Sequence, residues 1–350
     1  MAENNNNNRR VAIACQGGGS HTAFTAGALE KFLKEKNEEK HNYEIVALSG
    51  TSGGSICALL AWYGLLMNDT NKAIQLLNSF WRDNSANSFW DRLLNDYLLE
   101  TNRFFGNIGG TPTISPYSTY ASSWARDKLK GLLEKHVDFE RIQELVKPSS
   151  PMLLVGAVDV LSGEFKAFSS RRDRINVDMI LASAALPTLF KAVHIDRGVY
   201  WDGLFSQNPP VRELPDARPD EIWVIQIDPQ KRDTEPKTMP EIMDRRNELA
   251  GNLSLYQETY FIQRINELVR KLGEGENPED KILRLPGDPG EEDKEYKHIE
   301  VRWIDMLWDL DAESKLNRDP EFIQEMMAYG EHQAEEFLNK ELAVVGGRTG

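Results

Sequence analysis

Gly50-Thr51-Ser52-Gly53-Gly54 is a G-x-S-x-G pattern, which sets a serine on a tight turn between a strand and a helix. Such a turn exposes the hydroxyl, and glycines two residues to either side let neighbouring chain pass close by. A helix starting at Gly53 aims its N-terminal amides and dipole at the same point, which favours an anion formed there. The chemistry this supports is nucleophilic attack by Ser52. Gly17-Gly18-Gly19 closes an earlier apolar run and opens another helix. A glycine run offers backbone amides of the kind an oxyanion needs, although a plain tight turn explains it as well. A dinucleotide fingerprint would require glycine where Thr22 stands, and an acid ending the next strand where Glu44 begins it.

Ser52 needs a base. Histidines stand at 21, 41, 136, 194, 298 and 332. In the order serine, acid, histidine, only His298 and His332 come late enough, and their charged surroundings read as surface. His21 reads as a helix-start residue. Asp202-Gly203-Leu204 follows the apolar run Val199-Tyr200-Trp201 and precedes Asn208-Pro209-Pro210. Taken alone, Asp-Gly reads as a hairpin turn.

The elements that must position these residues follow from periodicity. Residues 11–16 and 43–48 are short buried-type runs, each ended by glycine. Phe24, Ala28, Leu29, Phe32 and Leu33 share one face of a helix over 20–36, and 53–66 is apolar nearly all round, so it is buried. Strand, helix, strand, helix with short connections begins a parallel sheet, and places both glycine turns at its carboxyl edge. Further on, Thr70 caps a helix through Trp81, and 89–105 reads as another helix before a loop over 107–118. Residues 152–160 and 164–168 form a hairpin about Ser162-Gly163. A helix over 178–185, an alternating segment over 193–201 and a core strand over 221–227 follow. Pro240 starts a long helix to Leu272, with Gly251 as the candidate break. The stretch 273–294 reads as mobile, 299–303 as a strand and 320–342 as a helix. Without repeats or a linker, the chain reads as one domain.

The 350 residues are 40% hydrophobic and 27% charged, with two cysteines and a net charge of −14. That excludes collagen-like, disulfide-framework and wholly disordered classes. Cys15 and Cys57 in apolar runs suit a reducing compartment. The longest apolar stretch, 56–67, is too short for a membrane span, and 1–10 lacks the apolar region of a signal peptide. The expectation is a soluble, cytoplasmic protein with a disordered tail over 1–10. Residues 231–350 carry −11 of the −14, which argues against nucleic acid and against adsorption to anionic membranes. A solvated helical surface is the plain reading of that acidity.

Taken in order, Gly17-Gly18-Gly19-Ser20-His21-Thr22, Gly50 to Gly54 and Asp202-Gly203-Leu204 resemble the patatin-like phospholipase family of serine acyl hydrolases. Ser183-Ala184-Ala185-Leu186-Pro187 and Asn208-Pro209-Pro210, which flank the last motif, add to the likeness with the bacterial branch. The resemblance covers about 10–230, so it implies a catalytic core over 11–230. Residues 231–345 are then an acidic helical region packed on the same domain. It implies an α/β fold: a three-layer sandwich with a parallel-rich central sheet between helices. It also implies a Ser–Asp dyad without histidine. Ser52 is the nucleophile, Asp202 the base, and the amides of Gly17, Gly18 and Gly19 the oxyanion hole, with Gly50, Gly54 and Gly203 as motif glycines. The implied reaction is hydrolysis of a lipid or other acyl ester through a covalent acyl-enzyme, with no cofactor or metal and with peripheral membrane contact.

Thr22 and Leu204 depart from the family pattern. Thr22 motivates a second reading, a patatin-fold protein that binds lipid or a partner with weakened catalysis. The aromatic-rich segment 80–124 reads either as core or as an acyl-chain wall. Leu255, Tyr256, Tyr260, Ile262, Ile265 and Leu268 form an apolar helix face for core or membrane contact.

Overall fold

A computed structural model describes residues 8–37, 42–86, 115–118, 120–187, 189–275, 281–286, 294–308, 310 and 313–346. The helix expected over 89–105 and most of the loop over 107–118 lie outside these residues.

Strand β1 (Arg9–Cys15) alternates its side chains between two cores. Val11, Ile13 and Cys15 face one, Ala12 and Ala14 the other, as the two-residue repeat of a strand requires. β7 (Glu221–Gln226) does the same, sending Trp223 and Ile225 to the first core and Ile222 and Val224 to the second. A strand buried on both faces must lie inside a sheet covered by helices on both sides. The sheet has eight strands among the described residues, in the order β10-β7-β1-β2-β3-β6-β5 with β4 paired to β3. β10 (Glu300–Asp305), β7, β1, β2 (Tyr43–Thr51) and β3 (Met152–Asp159) are mutually parallel. β4 (Phe165–Ser169) and β6 (Gly198–Asp202) run antiparallel to β3, and β5 (Val193–Ile195) antiparallel to β6. The result is the three-layer α/β sandwich that the motifs implied.

The larger core is covered by α1 (Ala23–Asn37), α2 (Gly53–Leu66), α3 (Thr70–Asn84) and α8 (Pro320–Gly346). Helix α2 is buried from Gly53 to Gly64, as its all-round apolarity predicts. Asp69, one residue before the expected Thr70, caps α3 by accepting the Lys72 amide at 2.8 Å. The connecting helices α4 (Tyr120–His136), α5 (Phe139–Leu145) and α6 (Val177–Ser183) complete that side. Phe80 and Trp81 of the aromatic segment pack in this core, whereas Tyr117 and Trp124 are exposed.

Helix α7 (Met239–Leu272) lies over the smaller core through Leu255 and Ile262. It runs unbroken through Gly251, which is there for space: a Cβ would come within 2.9 Å of Leu204 Cδ1 and 3.0 Å of Asn208 Nδ2. The apolar face read along this helix splits, because Leu255 and Ile262 are buried while Tyr260 and Leu268 are exposed. The segment expected to be mobile contributes β8 (Ile282–Leu285), which pairs with β9 (Lys294–Lys297) in a separate two-stranded sheet. Part of the acidity is not solvated surface either. Asp244 and Glu248 are buried against Arg232, whereas Glu331 and Glu335 of α8, which pair with Lys34 and Lys31 of α1, stay open to solvent. Among the described residues no helix is long and apolar enough to cross a membrane.

Candidate active site

Two register facts bring Ser52 and Asp202 together across 150 residues of chain. Thr51, the last residue of β2, pairs with Gly156 of β3; Asp202, the last of β6, pairs with the next residue, Ala157. Both Gly156 and Ala157 also pair with β4, on the opposite edge of β3. β2 and β6 therefore lie end to end along one edge, with their final residues adjacent. Asp202 ends a strand of the core sheet rather than turning a hairpin.

Ser52 adopts φ 54, ψ −131 between β2 and α2, a left-handed backbone that costs a non-glycine residue on the order of 1–3 kcal/mol. Close packing enforces the turn. A Cβ on Gly50 would lie 2.4 Å from Gly54 O, and one on Gly54 2.3 Å from Cys15 O, so both motif glycines are steric necessities. Ser52 itself is half-buried and open to a reactant. Its amide donates to Ser183 Oγ at 3.0 Å.

Asp202 is 2% exposed. Burial is the main cause that lifts its carboxyl from the ordinary 3.8 to about 7; the hydrogen bond from the Leu204 amide and the nearby Ser52 hydroxyl pull the other way. Its backbone amide donates to Ala185 O at 3.0 Å, and its Oδ1 accepts the Leu204 amide at 2.8 Å. Gly203 is held against β3, where a Cβ would sit 2.7 Å from the Gly156 carbonyl. Leu204 points its side chain at Gly251 of α7, so this departure from the family motif contacts the C-terminal region.

The glycine turn differs from expectation at one residue. The Gly17 amide is engaged, donating to Asn208 Oδ1 at 2.7 Å, and so is not available to an oxyanion in this arrangement. The amides of Gly18 and Gly19 donate to no atom among the described residues. Gly19 has φ +59 and opens a 3-10 turn to Thr22. Thr22 sits within that turn, where its hydroxyl donates to Gly19 O at 2.6 Å, tightening the loop.

Several polar residues that hold the site carry no motif. Gln16 Oε1 accepts the amides of Ile227 and Asp228, while its Nε2 donates to Asn252 Oδ1 of α7 at 2.8 Å. Glu258 of α7 accepts from Gln207 Nε2 and from the amides of Val211 and Arg212, each at 2.8 Å. The turn Glu313–Leu316 braces the glycine loop: Ser314 Oγ bonds His21 Nε2 at 2.7 Å, and Lys315 O covers Gly19. Nothing in the sequence marks Asn252 and Glu258, whose burial on α7 only the fold reveals.

No described histidine replaces Asp202. His298 is exposed and precedes β10, whose first residue pairs with the first residue of β7. It therefore lies at the edge of the sheet opposite Ser52. His332 is on α8 beside Glu336, His136 bonds Asp83, and His194 is exposed on β5. Among the described residues no three His, Cys, Asp or Glu side chains are placed to hold a metal ion, and both cysteines are buried free thiols.

A serine elbow at the carboxyl edge of a parallel sheet, with a buried carboxyl beside it, defines an α/β protein of hydrolase type. The chain belongs to the patatin-like phospholipase family, a family of lipid hydrolases, whose model matches residues 13–215. A search of curated proteins finds no match to this chain. Among solved structures it is similar to VipD from Legionella pneumophila, at 13% identity and a TM-score of 0.43, over 95% of this chain and 67% of that one. It is also similar to human GIVD cytosolic phospholipase A2 in complex with methyl gamma-linolenyl fluorophosphonate, at 15% identity and a TM-score of 0.45, over 97% and 59%. The type III effector ExoU matches at 15% identity and a TM-score of 0.34, over 94% and 53%. The chain thus spans little more than half the length of the last two.

Proposed function

We propose that the protein is a lipid acyl hydrolase that works through Ser52 and Asp202 and a covalent acyl-enzyme. The observation that carries this reading is the strained, half-buried Ser52 beside a buried Asp202 whose carboxyl titrates at about 7. A base should titrate near the working pH, because it must be ionised yet still hold a proton usefully. Asp202 takes the Ser52 proton as Oγ attacks the ester carbonyl. The oxyanion of the tetrahedral intermediate is bound by the unengaged amides of Gly18 and Gly19, at the start of their helical turn. Collapse expels the alcohol, which receives the proton from Asp202. Water, activated by the same carboxylate, then releases the fatty acid. The substrate class is a carboxylic ester of a lipid, met by a protein that acts in the cytoplasm and touches membranes peripherally.

The test is labelling with a serine-directed fluorophosphonate, read by mass spectrometry beside turnover of a short-chain p-nitrophenyl ester. One adduct on the peptide holding Ser52 is expected, with both adduct and turnover lost in Ser52→Ala. Turnover that survives in Ser52→Ala defeats the proposal. Lipid binding without any ester release would favour the non-catalytic reading.

A further inference from the structure

Helix α6 ends between the two members of the dyad and touches both backbones. Ser183, its last residue, accepts the Ser52 amide on Oγ at 3.0 Å, and Ala185, two residues on, accepts the Asp202 amide on its carbonyl at 3.0 Å. The register of β3 joins the same two residues from the other side, through Gly156 opposite Thr51 and Ala157 opposite Asp202. Nucleophile and base are therefore members of a closed ring, Ser52–Thr51–Gly156–Ala157–Asp202–Ala185–Ser183 and back to Ser52. Every link in it is covalent chain, sheet pairing or a hydrogen bond. The ring has one side-chain link, the Ser183 hydroxyl.

We infer that Ser183 is a positioning residue for the reaction: its hydroxyl ties down the Ser52 backbone so that Oγ stays aimed at the Asp202 carboxyl. This inference rests on the Ser–Asp reading above. The physical reason lies in the nucleophile's own conformation. Ser52 at φ 54 is held against its preference, and a strained residue persists only where its surroundings over-determine it. The steric fit of Gly50 and Gly54 fixes the turn to either side, but the Ser52 amide is held by Ser183 alone among the described residues. Ser183 can do this because it is itself immobile. It is fully buried, and its helix is capped by Asn176, whose Oδ1 accepts the Met179 amide at 3.2 Å. Removing the hydroxyl opens the ring at the one link that does not depend on backbone. The Ser52 peptide is then free to rotate toward an ordinary conformation, carrying Oγ off the carboxyl.

The experiment compares Ser183→Ala, Ser183→Cys and Ser52→Ala for kcat and KM on a soluble ester, for the rate of fluorophosphonate labelling and for the pH profile. Ser183→Ala should lower kcat roughly tenfold to a hundredfold, the scale of loss for a small misplacement of a reacting atom, with KM within about twofold. Labelling should slow in step. The Ser52 hydroxyl lowers the Asp202 pKa, so the acid limb of the profile should move to higher pH, a change that loss of stability alone does not produce. The thiol of Ser183→Cys is a weak acceptor and should give an intermediate loss; if Ser183→Ala does not fold, this variant decides in its place. A rate within about threefold of the parent in the folded variant, with Ser52→Ala inactive, overturns the positioning role and leaves the Ser–Asp reading standing. An active Ser52→Ala overturns that reading itself.

Discussion

At the residue scale, Asp202 has the property most open to measurement. A group whose folded pKa lies above its unfolded value holds its proton more tightly in the native state. Its stabilising contribution is complete below the unfolded pKa, near 3.8, and is lost as pH rises through about 7. On the proposed mechanism activity should run the opposite way, since a carboxylate base works only when ionised: kcat/KM for a neutral ester should climb through an apparent pKa near 7. Asp202→Asn keeps an oxygen to accept the Leu204 amide but cannot ionise. It should abolish turnover and, at pH 8, be more stable to unfolding than the parent by on the order of a few kcal/mol. Calorimetry at pH 5 and pH 8 checks this. A variant less stable than the parent at pH 8 would mean that the buried charge is better compensated than the site's geometry indicates.

At the element scale, the site is assembled by pieces far apart in the chain, and the C-terminal third supplies some of them. The turn Glu313–Leu316 lies over Gly19 and is anchored by Lys315, whose Nζ meets Asp228 at 2.9 Å and Asp244 at 3.7 Å. Burial alone would lower the Lys315 pKa, but Asp228, Asp244 and Glu248 raise it above the ordinary lysine value, so the lysine keeps its proton, while burial is the main cause that raises the Asp228 carboxyl. Lys315→Met leaves Asp228 buried beside fewer positive charges and should cost roughly 3–5 kcal/mol. Adding Asp228→Asn should recover part of that loss, which a double-mutant cycle in urea measures. Additive losses would show that the two side chains do not act as a pair.

Much of this level is legible in advance where one segment suffices. The β1 and β2 runs, the all-apolar α2 and the hairpin about Gly163 follow from local periodicity. The continuity of α7 through Gly251 does not. Glycine in a helix reads as a break, and only the nearness of Leu204 and Asn208 shows why it is tolerated. Strand β9, KEYK, is charged and short, without the apolar alternation that marks a strand.

At the scale of the whole molecule, the charge is the governing quantity for contact with lipid. Of the net −14, residues 231–350 carry −11. Ion pairs inside the fold rearrange this charge without removing it, and its repulsion of an anionic surface reaches about 10 Å in 0.1 M salt before it is screened. Binding to vesicles of zwitterionic lipid should therefore equal or exceed binding to vesicles rich in anionic lipid, and added salt should narrow the gap. Co-sedimentation at two salt concentrations tests this; tighter binding to the anionic vesicles would point to a local basic face that outweighs the net charge.

The chemistry on offer is legible in the amino-acid order: a serine between glycines at a strand end, a glycine turn before it and an acid far downstream, arranged as in a known family. Those features are local, because an elbow or a turn is specified by a handful of consecutive residues and their steric limits. How that acid reaches the serine, which amides remain open and what holds them follow from contacts made in the folded chain alone. The pairing of Ser52 with Asp202 depends on two strands meeting end to end along β3. The engagement of Gly17 depends on Asn208, and the bracing of Gly19 on Lys315, nearly 300 residues away. Contacts between distant segments leave no periodic trace in the chain, because buried polar residues such as Gln16, Ser183 and Asn252 are chosen for a partner, not for a pattern.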